Sequence, residues 1–157
     1  MKTAIIYASK HGATKEVART IAHLLPDDEV HCISLRGNKN PDIRPYEKVI
    51  LGTAIYAGNP ISSMKSFCAK NRAELEKKTV GLYICCVLKE KQEEQFGGAF
   101  PDYLHRKAKS TAMMGGTINM HELSFFERLV TKNAANITES MSSLDHNMIH
   151  SFANAMK

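Results

Sequence analysis

The 157-residue chain has no apolar run long enough to cross a bilayer. The longest, Gly81 to Leu88, is far short of the ~20 residues a transmembrane helix needs. The N-terminus offers Lys2 and then only the short run Thr3 to Ala8, without the apolar core of roughly 7–15 residues that marks a secretion signal, so a cytoplasmic protein is expected. None of the four cysteines (Cys32, Cys68, Cys85, Cys86) forms a CxxC pair. Cys85 and Cys86 are adjacent within an apolar run and should point to opposite faces of a strand. All four are expected to be small buried hydrophobes in a reducing compartment rather than redox or metal ligands. GxGxxG is missing, which argues against a dinucleotide-binding Rossmann site, and GxxxxGK[ST] is missing, which argues against a P-loop NTPase. No Asp directly follows a candidate strand, as the phosphorylated residue of a receiver domain would. Acidic excess is also lacking, since the formal net charge is +5.

What is present describes an ordinary globular chain: 43% hydrophobic and 24% charged residues. The length suits one domain over residues 1–157, able to bury roughly 68–70% of its unfolded surface without a metal or disulfide staple. The positive charge is scattered over Lys65, Lys70, Arg72, Lys77 and Lys78 and again over Arg106, Lys107 and Lys109. Glu74 and Glu76 interrupt it, so these positions read as solvated helix faces. No nucleic-acid-binding motif accompanies the charge, and no nucleic-acid partner is expected. The basic faces leave an anionic small molecule or peripheral membrane contact open.

Strands alternate with helices along the chain. Thr3–Ala8 is an apolar strand; Lys15–Leu25 has helical spacing, with Thr14 as its expected N-cap and Pro26 as its stop. Val30–Leu35 is a second strand and Lys48–Ala54 a third, followed by a loop over Ile55–Pro60. Ser62–Lys77 is a helix with Met64, Phe67, Cys68 and Leu75 inward. Thr79–Leu88 is a deeply buried fourth strand, and Lys89–Glu94 is charged. Asp102–Lys109 is a helix, Ser110–Asn119 a fifth strand and His121–Asn133 a short helix. The last helix covers Ser142–Met156, with a Ser142-x-x-Asp145 capping signal and a stripe of Leu144, Met148, Phe152 and Met156. Five strands that are apolar throughout, separated by helices, indicate a parallel sheet covered on both faces.

In such a sheet ligands bind beyond the carboxyl ends of the strands. After strand 1 comes Ser9-Lys10-His11-Gly12-Ala13-Thr14, leading into a helix. A helix start supplies free N–H groups and the positive end of the dipole, which suit an anion such as phosphate; the alternative is a plain turn and N-cap. Ser9 and Thr14 add hydroxyls, Gly12 permits close approach, and Lys10 and His11 add charge. After strand 3, Ala54-Ile55-Tyr56-Ala57-Gly58 carries an aromatic able to stack on a flat ring and a glycine whose peptide can flip.

The strand-1 stretch S-x-H-G-x-T, the following A-R-T-I-A-x-x-L helix and the strand-3 ending L-G-T-A-I-Y-A-G resemble the flavodoxin superfamily. Within it the chain is most similar to the group containing menaquinone-dependent protoporphyrinogen dehydrogenase. The resemblance implies a flavodoxin-like three-layer sandwich, with a five-stranded parallel sheet of order 2-1-3-4-5 and helices on both faces. It implies one non-covalent FMN. The phosphate would sit in Ser9, Lys10, His11, Gly12, Ala13 and Thr14; the ring would lie between Ala54, Ile55, Tyr56, Ala57 and Gly58 on one side and Val87, Leu88 and Lys89 on the other. The Ala57–Gly58 peptide would answer the redox state of flavin N5. No dedicated catalytic acid, base or nucleophile and no metal site is expected. The chain departs from electron-carrier flavodoxins in two ways: no aromatic falls within Val87–Gln92, and the net charge is positive. Either an electron carrier serving a redox partner protein or an FMN-dependent oxidoreductase taking a small organic donor or acceptor, such as a quinone, fits these features. A protoporphyrinogen IX dehydrogenase is the specific form of the second, and a flavin-free binding module on the same fold is a further alternative. Residues 121–141 could present Leu123, Phe125, Phe126, Leu129 and Val130 to a quinone, porphyrin or membrane, or pack them on the domain itself.

Overall fold

A computed structural model describes residues 1–56, 58–118 and 141–157. Among the described residues there are eight strands: β1 (Lys2–Ala8), β2 (Glu29–Ser34), β3 (Lys48–Tyr56), β4 (Asn59–Pro60), β5 (Thr79–Cys85), β6 (Ser110–Met113), β7 (Thr117–Ile118) and β8 (Met141–Ser142). The helices among them are α1 (Ala13–His23), α2 (Ser62–Lys70), α3 (Arg72–Leu75), α4 (Gln92–Ala99), α5 (Asp102–Lys107) and α6 (His146–Met156), with a 3₁₀ turn over Lys89–Lys91.

The strands of the main sheet run in the order β2-β1-β3-β5-β6, with β4 paired to β3 off this path. All four pairings along the path are parallel, which is the expected 2-1-3-4-5 arrangement. Side-chain alternation along the buried strands builds two cores, because successive residues of a strand face opposite ways. Ala4, Ile6 and Ala8 of β1, Val49 and Leu51 of β3, and Val80, Leu82 and Ile84 of β5 face α2–α5. Ile5, Tyr7, Ile50 and Tyr83 face α1 and α6. Each large side chain fully buried in this way is worth roughly 1.5–3 kcal/mol. Cys85 and Cys86 do fall on opposite faces. Cys68, Cys85 and Cys86 are buried, whereas Cys32 is exposed because β2 is a sheet edge.

Several boundaries differ from the sequence reading. β3 continues through Tyr56 and turns back into β4, pairing Ile55 with Pro60 and Tyr56 with Asn59, so 55–60 is a tight hairpin and not an open loop. The helix expected over Ser62–Lys77 breaks at Asn71, whose side-chain amide bonds the Phe67 carbonyl at 3.0 Å and Asn40 at 2.7 Å. β5 ends at Cys85, since the Cys86 N–H leaves the ladder for the carbonyl of Gly115. β6 is only four residues long. Helix α4 was hidden by Gly97 and Gly98, which depress helix propensity; Ala99 is buried and Phe96 packs on the core regardless. The last helix starts at His146. Asp145 is its N-cap and accepts the Met148 N–H, so Ser142 takes no part in capping and belongs to β8. Its buried stripe is Ile149, Phe152, Ala153 and Met156, while Met148 is exposed. The helix expected over 121–133 lies outside the described residues.

Candidate functional site

Parallel register brings the strand ends together at one edge of the sheet. Ala8 of β1 is level with Thr53 of β3, and Ala54 is level with Cys85 of β5. The segments that leave these three points are the ones the sequence singles out.

The first leaves β1 at Ser9. The Ser9 Oγ accepts the Gly12 N–H at 3.0 Å, which curls the chain into α1. Gly12 is the helix N-cap at φ 99°, a left-handed conformation that strains any side chain. The expected cap, Thr14, is instead inside the first turn. Gly12 takes the cap position because its backbone can adopt that angle, and its carbonyl accepts the Glu16 N–H at 2.9 Å. A side chain added at Gly12 would meet nothing within 4 Å, so the backbone faces open space there. Ala13 is the first helical residue. Thr14 is fully buried, and its Oγ1 has no hydrogen-bond partner. The Cys85 thiol lies beside the Thr14 side chain.

Lys10 and His11 project toward the second segment. Lys10 Nζ lies 4.0 Å from the centroid of the Tyr56 ring, a cation–π contact, and the His11 ring is 6.3 Å from the same ring. Ala54 and Ile55 are half-buried at the end of β3, with Ile55 packed on the α2–α5 core. The Thr53 hydroxyl holds this end to the hairpin: it donates to the Ala54 carbonyl at 3.2 Å and accepts the Ile61 N–H at 3.3 Å. Gly58 has φ 78°, the positive angle that a tight reversal between β3 and β4 requires. Ala57 lies outside the described residues.

The third segment follows β5. Val87 and Leu88 are half-buried, and Leu88 packs on the α2–α5 core. Lys89 is exposed and opens the 3₁₀ turn. The Cys86 thiol donates to the Leu88 carbonyl at 3.6 Å and to Gln95 Oε1 of α4, tying this segment to the helix behind it. Burial pushes the Cys86 thiol above its ordinary range, so it stays a neutral donor.

Sequence reasoning thus names three segments that the fold does bring to one edge. It missed Tyr83, whose hydroxyl donates to the Thr14 carbonyl at 2.9 Å, and the Cys86–Gln95 contact behind the third segment. Strand parity carried a signal for Tyr83, because alternation along β5 places it on the α1 face; the Gln95 contact had none. Among the described residues no cluster of His, Cys, Asp and Glu could hold a metal, and no helix is long and apolar enough to cross a membrane.

The family model described as a flavodoxin domain matches residues 4–145. The chain belongs to the flavodoxin domain family. Among curated proteins nothing matches. Among solved structures, this flavodoxin-domain protein is similar to a short-chain flavodoxin associated with a non-canonical PDU bacterial microcompartment, at 14% identity and TM-score 0.63, covering 99% of this chain and 96% of that one. It is similar to oxidised flavodoxin 2 of Bacillus cereus, at 17% identity and TM-score 0.59, covering 99% and 97%. It is also similar to the Fusobacterium nucleatum flavodoxin bound to flavin mononucleotide, at 16% identity and TM-score 0.54, covering 98% and 95%. At these identities the likeness establishes the fold.

Proposed function

We propose that this protein binds FMN without a covalent bond and serves as a redox protein through it. The observation that carries the reading is the Thr14 hydroxyl: a buried donor without a partner, in the first turn of α1, next to an N-cap glycine whose backbone faces open space. An orphaned buried hydroxyl costs about 1–3 kcal/mol, and a phosphate oxygen is an acceptor that would satisfy it. The residues therefore fit the group. Ser9 through Thr14 would hold the phosphate, with the first-turn N–H groups and the helix dipole favouring negative charge. Residues 54–58 and 87–89 would flank the ring. FMN, when bound, supplies the electron and hydride chemistry. The chain orients it, excludes water from its buried side and sets the local charge.

The finer reading is an oxidoreductase that takes electrons from an organic substrate and passes them to a quinone, of which a protoporphyrinogen IX dehydrogenase is the specific form. The net charge of +5 and the aromatic-free segment 87–92, with Lys89 and Lys91, favour it over a strongly reducing carrier. Positive charge stabilises the negative charge added on reduction and raises the potential. A redox partner protein and a peripheral membrane contact remain compatible with the exposed basic faces.

The test is a titration of flavin-stripped protein with FMN, read by quenching of flavin fluorescence. Saturable binding supports the reading, whereas protein that takes up no FMN is a binding module on a flavodoxin fold. An anaerobic turnover assay of the loaded protein with NAD(P)H, quinones and a porphyrinogen then separates carrier from enzyme.

A further inference from the structure

The α1 face of the sheet contains a contact that flavin binding as such does not require. Gly52 of β3 and Tyr83 of β5 are register partners. The missing side chain at 52 is what lets the Tyr83 ring lie across β3: a Cβ there would stand 2.0 Å from Tyr83 Cζ and 2.4 Å from its Oη. Over that gap Tyr83 Oη donates to the carbonyl of Thr14 at 2.9 Å, inside the first turn of α1. Tyr83 is wholly buried, and burial raises its pKa well above the ordinary value, so the hydroxyl stays a neutral donor. Two residues on, on the same face, burial pushes the Cys85 thiol up to about 12, and this neutral thiol sits against the Thr14 side chain. The first turn of α1 thus rests on one uncharged donor, the Tyr83 hydroxyl, with the neutral Cys85 thiol packed beside it, and β5 places no negative side chain beneath it. A phenylalanine at 83 would fill the same space. The hydroxyl is needed only for the bond to Thr14.

We infer that Tyr83 is a positioning residue for phosphate: it fixes the first turn of α1 so that the Thr14 hydroxyl and the unbonded N–H groups of that turn converge on one anion. The inference rests on the flavin reading above and adds to it a residue on a different strand that acts only through the phosphate end. It follows that Tyr83 discriminates between flavins that carry a phosphate and those that do not.

The experiment compares wild type and Tyr83→Phe, each titrated with FMN and with riboflavin, which has the same ring and no phosphate. The expected result is a roughly tenfold weaker FMN dissociation constant in the variant, about one hydrogen bond's worth, with riboflavin affinity unchanged. Hydrogen exchange on the flavin-free proteins gives a second readout. The Glu16 and Val17 amides should exchange faster in the variant, while those of β1 and β3 stay protected. Parallel losses for both flavins would reduce Tyr83 to a general packing residue and overturn the inference, as would unchanged FMN affinity. A wild-type chain that binds riboflavin and FMN equally would overturn the phosphate role of Tyr83 while leaving flavin binding standing. A wild type that binds neither overturns both.

Discussion

Replacing Thr14 with valine separates two properties that mutations usually degrade together. Valine has nearly the shape of threonine, so the core around position 14 stays filled, but the buried hydroxyl disappears. In the flavin-free protein that hydroxyl has no hydrogen-bond partner. Leaving such a group unsatisfied costs about 1–3 kcal/mol, and an apolar isostere removes the cost. At the low end, about 1 kcal/mol for a domain of this size, Thr14→Val should raise the melting temperature of stripped protein by roughly 2–4 °C. With FMN the balance reverses. The variant forfeits a charge-assisted bond to phosphate worth about 1.5–3 kcal/mol, so its dissociation constant should rise by about tenfold to a hundredfold. Differential scanning fluorimetry on stripped protein and a fluorescence titration with FMN measure the two effects. A variant that melts lower than wild type yet keeps its FMN affinity would show that the hydroxyl is structural and that no phosphate meets it.

Three further changes probe other parts of the account. Gly58→Ala forces a side chain into φ 78° and should cost about 1–2 kcal/mol of stability, while shifting the one-electron reduction potentials of the loaded protein; an unaltered redox titration would remove position 58 from the flavin environment. Asp28 lies at the amino-terminal end of the strands, with Lys48 Nζ at 2.8 Å, Thr3 Oγ1 at 2.7 Å and the N-terminal ammonium at 3.6 Å. Burial alone would raise its pKa, but the hydrogen bonds from Lys48 and Thr3 and the charges of Lys48 and the N-terminus outweigh it and hold the carboxyl below its usual range. Its stabilisation is therefore complete above about pH 4 and is lost as the pH falls below that. Asp28→Asn, which leaves the Lys48 ammonium only 3% exposed and without its partner, should cost about 3 kcal/mol at pH 7 and progressively less in urea melts at pH 3 and below. Lys107 Nζ reaches the carbonyls of Leu75 at 2.7 Å, Glu76 at 3.0 Å and Lys78, closing the end of α3; Lys107→Met should cost about 2 kcal/mol in urea denaturation, with FMN affinity intact.

The layered sheet was legible because its central strands β1, β3 and β5 are apolar on both faces, a pattern that few other arrangements produce. The end of β3 was misread because Ile55-Tyr56-Ala57-Gly58-Asn59-Pro60 carries loop-forming residues, and the pairing of Tyr56 with Asn59 adds a β4 of only two residues, too short to show a strand pattern. Helix α4 escaped for the opposite reason: packing of Phe96 and Ala99 overrides two glycines. At the candidate site, Ser9 to Thr14 could be picked out from a strand, a glycine and a helix start in succession. What holds them could not, because the support comes from Tyr83, 69 residues away in the chain. The misplaced cap is the instructive error. Thr14 has a good capping side chain, but Gly12 can adopt the left-handed angle, and that displaces Thr14 into the first turn, where its hydroxyl is buried without a hydrogen-bond partner.

The most direct test is an amide NMR titration of isotopically labelled, flavin-stripped protein with FMN. The account predicts that the Ala13, Thr14 and Lys15 amides of the first turn shift most strongly downfield, as N–H groups do on meeting a phosphate, while the Asp28 end of the sheet stays unmoved. Bound FMN that leaves those three amides where they were would contradict it.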